Sequence, residues 1–193
     1  MTAGRQSLAP NKEWYTPPDF LEMVYEVLGN VSLDPCGATN SPVKADTIFI
    51  FPNQNGLEET WDYSTIFCNP PYGRDPLSKT SIKDWLRKCS DAWQRGSEVI
   101  ALVPVAPNTS HWKEYVFPTC SAICFLSDSR FKFIGAGDKG APMAVSAVYW
   151  GSSPEKFANV FGKRGNIMSP FRATNNKKTI DIERQDGYAY VSQ

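Results

Sequence analysis

Apolar residues along this chain cluster in short unbroken runs, separated by segments where they recur every three or four positions. The runs Val31-Ser32-Leu33, Ile48-Phe49-Ile50-Phe51, Thr65-Ile66-Phe67-Cys68, residues 99–103, residues 122–126 and residues 145–150 read as strands. The run at 99–103 is continuous enough to be a strand buried on both faces. The helical spacing is clearest at 81–94, where Ile82, Trp85, Leu86, Cys89 and Trp93 share a face. An earlier helix begins near Asp19, runs through Phe20, Val24, Val27 and Leu28, and closes at Gly29. Shorter helices are expected at 111–117 and 154–161. Strands alternating with helices predict an α/β protein with a mainly parallel sheet covered on both faces. Val145 to Trp150 would be its last strand. The folded domain is expected over residues 1–161. From Gly162 to residue 193 the chain turns polar and basic, which reads as an extension and not a second domain.

With 193 residues, of which 41% are hydrophobic and 13% aromatic, the chain can build one substantial core. No apolar run reaches membrane-spanning length, and the first residues lack the apolar core of a signal peptide. An intracellular, cytoplasmic protein without a membrane partner is expected. Five cysteines form no Cys-x-x-Cys pair, and His111 is the only histidine, so buried free thiols and no metal site are expected. Net charge is zero, but residues 1–65 carry three Lys/Arg against nine Asp/Glu, while residues 66–193 carry seventeen against eleven. This asymmetry suits a basic face turned to a phosphate backbone, and equally suits ordinary solvated charge.

The chemistry concentrates where strands end. Asn69-Pro70-Pro71-Tyr72 follows directly on the apolar run ending at Cys68. Two prolines can neither continue the strand nor open a helix freely, so the loop holds an amide and a phenol ring at the carboxyl edge of the sheet. An amide oxygen beside an aromatic face suits a flat heterocycle bearing an amino group. Asp34-Pro35-Cys36-Gly37 similarly places a carboxylate in a turn after Leu33, although Asp-Pro is also a common plain turn.

In order along the chain stand Trp14-Tyr15-Thr16-Pro17, Asp34-Pro35-Cys36-Gly37, Asn55-Gly56-Leu57, Trp61 and Asn69-Pro70-Pro71-Tyr72-Gly73. This series resembles the phage-type DNA adenine-N6 methyltransferase family over residues 12–151. The resemblance implies a Rossmann-like methyltransferase fold, a mostly parallel seven-stranded sheet with a reversed last strand. It implies S-adenosylmethionine as cofactor and DNA as partner. The cofactor would lie against Tyr15, Thr16 and Pro17, with Thr16 and its backbone on the methionine carboxylate. Asp34, with Pro35, Cys36 and Gly37, would face the methionine amino end, and Asn55, Gly56 and Leu57 the cofactor's adenine. No acid for the ribose is implied, and Asp46 reads as a solvated loop residue. Asn69, Pro70, Pro71 and Tyr72 would form the catalytic loop: Asn69 and the Pro70 carbonyl accept the two hydrogens of the target amine, and Tyr72 stacks on the extruded base. Phe131 or Phe133 would add a wall, and Arg74, Arg130 and Lys132 would meet the substrate, with Lys79 and Lys83 as further phosphate contacts. A half-buried strand is the plain alternative for residues 127–133.

The same tetrapeptide also occurs in methyltransferases of protein glutamine or RNA base amines, and a non-catalytic nucleic-acid-binding relative would keep the fold. The Trp-Tyr-Thr-Pro element and the short spacing favour DNA; a cytosine-directed enzyme would more typically carry serine in place of Asn69. A monomer and a weak dimer are equally compatible with the chain.

Overall fold

The computed structural model describes residues 14–73, 80–128, 130–135 and 140–170. One seven-stranded sheet organises them: β1 (Leu33–Gly37), β2 (Thr47–Ile50), β3 (Thr65–Cys68), β4 (Glu98–Pro104), β5 (Ala122–Leu126), β6 (Val145–Trp150) and β7 (Gly165–Met168), in the order β2-β1-β3-β4-β6-β5-β7. Helices α1 (Pro18–Leu28), α2 (Ile82–Gln94) and α3 (Pro154–Phe161) and one π-helical stretch, Trp112–Val116, complete it.

Most of the expected strands and helices form where the apolar pattern puts them, but the first strand starts at Leu33 and runs through the Asp34 to Gly37 segment in place of 31–33, and the sheet is not mostly parallel. Three pairings, β1 with β2, β1 with β3 and β3 with β4, are parallel. The other three, β4 with β6, β5 with β6 and β5 with β7, are antiparallel. Both β6 and β7 therefore run against the rest, where one reversed strand was expected. β6 is the reversed strand that was expected; the departure is β7, whose residues carry one branched aliphatic side chain, Ile167, and so show no apolar run that announces a strand. Residues 165–168, which the sequence places in the polar extension, form the edge strand β7 on β5.

Alternation along the strands sorts side chains to two faces. Phe67, Ile100, Leu102, Cys124, Ala147 and Tyr149 meet α1 and α3 through Phe20, Leu21, Val24, Phe157 and Phe161. Ile66, Cys68, Val99, Ala101, Val103, Val148 and Trp150 meet α2 and the π-helical stretch through Trp85, Leu86, Cys89 and Trp112. Pro18 starts α1 at a position that needs no N–H. Ser81 and Asp84 close a capping box at the start of α2, with the Ser81 N–H 2.9 Å from the Asp84 carboxylate. Because β1, β3 and β4 are parallel, their carboxyl ends lie along one edge, and the loops carrying Asp34 and Asn69 meet there.

Candidate active site

Pro35 has no N–H to give to the ladder, and the pairing of β1 with β2 shifts register between Asp34 and Gly37. The Asp34-Pro35-Cys36-Gly37 segment is thus the irregular end of a strand and not a turn beyond it. Asp34 is buried, and its Oδ1 accepts the Cys36 N–H at 3.1 Å. Burial nevertheless dominates and raises its pKa to about 6, against the pull of the Cys36 hydrogen bonds. A carboxyl group held this way favours a cation that can replace lost water.

The Asn55-Gly56-Leu57 turn is pressed onto the same strand end. A Cβ added to Gly56 would lie 1.8 Å from the Pro35 carbonyl oxygen, so only glycine permits this backbone approach. The buried Trp61 indole donates to the Gly56 carbonyl at 2.7 Å and holds the turn from below. Asn55 spends its side chain on the turn itself: its Oδ1 accepts the Leu57 N–H at 3.1 Å, and its Nδ2 donates to Glu58 at 2.9 Å. Asp46 sits at the opposite, amino end of β2, exposed and bonded by Asn30, away from this edge. Phe51, at the carboxyl end of β2, is 73% exposed, an aromatic ring that sequence reasoning did not single out.

Next to the Asp34 segment, Asn69 leaves β3 half-buried and Pro70 is buried. The Asn69 Nδ2 donates to the Trp14 carbonyl at 3.3 Å and meets the Thr16 Oγ1 at 3.1 Å. A carbonyl can only accept, so the Trp14 contact fixes which end of the amide is nitrogen. Oδ1, the accepting end, is turned away from both partners. Tyr72 donates its hydroxyl to the Leu102 carbonyl in β4 at 3.2 Å, and burial raises its phenol pKa well above the ordinary value. It therefore stays a neutral ring tied to the sheet.

Three chain segments converge on this loop. Tyr15 and Ile134 exchange backbone hydrogen bonds, Tyr15 N–H to Ile134 at 3.0 Å and the reverse at 2.9 Å. Trp14 stacks on Phe133 with centroids 5.5 Å apart, and Tyr72 meets Phe133 edge-on at 5.9 Å. Phe131 packs on Phe133 and Phe20 and is 2% exposed; Phe133 is 4% exposed. Both rings are core in this arrangement and neither offers a face to solvent. Residues 127, 128 and 130–133 lie outside any strand, so the strand alternative for this stretch does not hold where it is described.

Arg130 and Lys132 are exposed and, with Pro17, Asp19, Asp128, Phe131 and Arg164, line a cavity of about 280 Å³. Arg164, unforeseen from the sequence, joins Asp19 at 2.6 Å and Asp128 at 2.8 Å. Lys83 is committed to an ion pair with Glu114 at 2.8 Å. Arg74 and Lys79 lie outside the described residues. The Cys36 and Cys68 sulfurs stand 3.7 Å apart, and burial pushes both thiols up, so neither is a ready nucleophile. Among the described residues, no helix is long and apolar enough to cross a membrane, and no group of three or more His, Cys, Asp and Glu could hold a metal.

A sheet whose carboxyl edge carries a buried carboxylate on one strand and an oriented Asn-Pro-Pro-Tyr loop after the neighbouring strand fits a methyltransferase of amino groups. Residues 6–149 match the family model of DNA N-6-adenine-methyltransferase (Dam), and the chain belongs to that family. No curated protein and no solved structure matches the chain significantly. Family membership carries DNA adenine methylation as the activity and DNA as the substrate.

Proposed function

We propose that this protein transfers a methyl group from S-adenosylmethionine to the exocyclic N6 amine of an adenine extruded from DNA. The observation that carries the reading is the fixed orientation of Asn69, whose donor end is tied to Trp14 and Thr16 and whose acceptor end is left for a substrate amine.

The donor set fits the cofactor. Asp34 is a buried carboxyl whose pKa is raised by burial despite its bonds from Cys36, and the methionine ammonium would supply the opposite charge that lets it ionise. The 15–17 segment would take the methionine carboxylate, the end of β1 through Pro35, Cys36 and Gly37 would border the methionine, and the Asn55 to Leu57 turn would border the cofactor's adenine. When bound, the cofactor supplies a methyl already activated on a sulfonium.

The protein's own task is then to prepare the amine. Adenine N6 is a weak nucleophile because its lone pair is delocalised into the ring. Asn69 Oδ1 and the Pro70 carbonyl accept its two hydrogens, which favours a pyramidal nitrogen and stabilises the positive charge that grows there. The buried Pro70 and the fixed φ of both prolines hold the two acceptors in place, so positioning costs little at the moment of reaction. A base stacked inside a duplex cannot reach this edge, so it must be extruded. Tyr72 would stack on it, with Phe133 behind the phenol ring, and Phe131 would support Phe133. The exposed Arg130 and Lys132 would meet phosphates, where charge positions the duplex without reading its sequence.

The test is incubation with methyl-labelled S-adenosylmethionine and, in parallel, unmethylated DNA, RNA and a protein extract. Label confined to DNA is expected; label in RNA or protein alone would overturn the substrate.

A further inference from the structure

Thr16 is buried to 1% exposure, so its hydroxyl is not a solvent-facing group. It sits 3.1 Å from the Asn69 Nδ2, while the backbone carbonyl two residues earlier, at Trp14, takes the same nitrogen at 3.3 Å. The segment that carries both acceptors is itself clamped. The two-way backbone pairing of Tyr15 with Ile134 fixes its height, and the stack of Trp14 on Phe133 fixes its lateral position. An asparagine amide is nearly symmetric in shape and can present either nitrogen or oxygen to a ligand. Only the oxygen can accept a hydrogen from an amine. A rotated Asn69 would aim N–H groups at the target's own N–H groups and repel it.

We infer that Thr16 is a positioning residue: its hydroxyl holds the Asn69 amide nitrogen against the Trp14 carbonyl, which can only accept and so sets the orientation that leaves Oδ1 to the substrate amine, and this is the task of its side chain in place of contact with the methionine carboxylate. The inference rests on the proposed methyl transfer and deepens it. It divides the 14–17 segment between two jobs, with backbone groups facing the cofactor and the Thr16 side chain facing Asn69. The Trp14 contact is the longer of the two, so losing Thr16 leaves the amide oriented by one long hydrogen bond and less firmly held in place.

The test compares Thr16→Val, which keeps the shape and removes the hydroxyl, with Thr16→Ser, which keeps the hydroxyl and removes the methyl. In Thr16→Val, kcat for DNA methylation should fall on the order of tenfold, the worth of roughly one hydrogen bond in holding the amide in place. KM for S-adenosylmethionine should stay unchanged, and Thr16→Ser should recover most of kcat. A loss appearing as a raised cofactor KM would overturn the inference, as would equal losses in both variants or an unaltered Thr16→Val. Side-chain amide NMR of Asn69 gives a readout independent of activity: its Nδ2 protons should exchange with water faster in Thr16→Val and at the wild-type rate in Thr16→Ser. Unchanged exchange in Thr16→Val refutes the positioning role even if the wild-type protein methylates nothing, an outcome that would separately refute the proposed function.

Discussion

The two strand ends that meet at the carboxyl edge of this sheet are prepared in opposite ways. At the end of β3, Asn69 and Tyr72 have their polar groups engaged, by Thr16 and Trp14 on one side and by Leu102 on the other. At the end of β1, Asp34 is buried with its carboxyl pKa raised to about 6 by loss of water. The first site is finished before any ligand arrives, as preorganised acceptors should be. The second is left electrostatically unfavourable and becomes comfortable only with a cation beside it. Under the proposed methyl transfer, the rigidity at β3 would serve the reacting amine, and the deficit at β1 would serve cofactor binding.

Removing the finished side should have the largest effect. Asn69→Ala should reduce methyl transfer by on the order of 10²–10³, the usual cost of deleting one preorganised polar group, and leave cofactor binding intact by calorimetry. A comparable fall in cofactor affinity would merge the two sides into one.

The unfinished side should respond with opposite signs in stability and binding. Asp34 binds its proton more tightly folded than unfolded, so stability falls as pH rises from its ordinary value of 3.8 through about 6. At neutral pH the full penalty, about 3 kcal/mol for a shift of this size, is present. Asp34→Asn should therefore raise the melting temperature of the ligand-free protein at pH 7, with the gain shrinking toward pH 4, and weaken cofactor binding. In the wild type, cofactor affinity should weaken as pH drops below about 6, because the proton must leave before the ammonium can pair. A variant that is less stable at pH 7 and no weaker in binding would remove the contrast.

Smaller effects sharpen it. Gly56→Ala places a methyl against the Pro35 carbonyl and should cost about 1–3 kcal/mol of stability, with a parallel loss of cofactor affinity measured by titration. Tyr72→Phe removes the bond to Leu102 and should cost about 1 kcal/mol by denaturant unfolding, while the ring still stacks on a base.

Much of this architecture is legible in the chain. The runs at 65–68 and 99–103 become neighbouring strands because a continuous β-branched run has no better place than a sheet interior. The Asn-Pro-Pro-Tyr loop falls at the strand end because two prolines stop the ladder there. The family resemblance alone implied the reversal of β6; its direction was not legible in its own residues, since a strand buried at every position shows no polar face to orient it. Nor was β7: Gly165-Asn166-Ile167-Met168 has one branched aliphatic residue, and its pairing with β5 is made by backbone groups. The same blindness hid the Trp14 carbonyl and Ile134, whose contributions come from main-chain atoms that every residue carries. Phe131 and Phe133 have the composition of a base-stacking wall, yet their burial depends on α1 and the 14–16 segment arriving from far away in sequence.

The most direct test is nucleoside mass spectrometry of unmethylated plasmid DNA treated with S-adenosylmethionine and either the wild-type protein or Asn69→Ala. N6-methyladenine with the wild type, and its loss with the variant, is the result expected from an acceptor amide at the reacting nitrogen. N4-methylcytosine in place of methyladenine, or methyladenine formed equally by both proteins, would contradict the account.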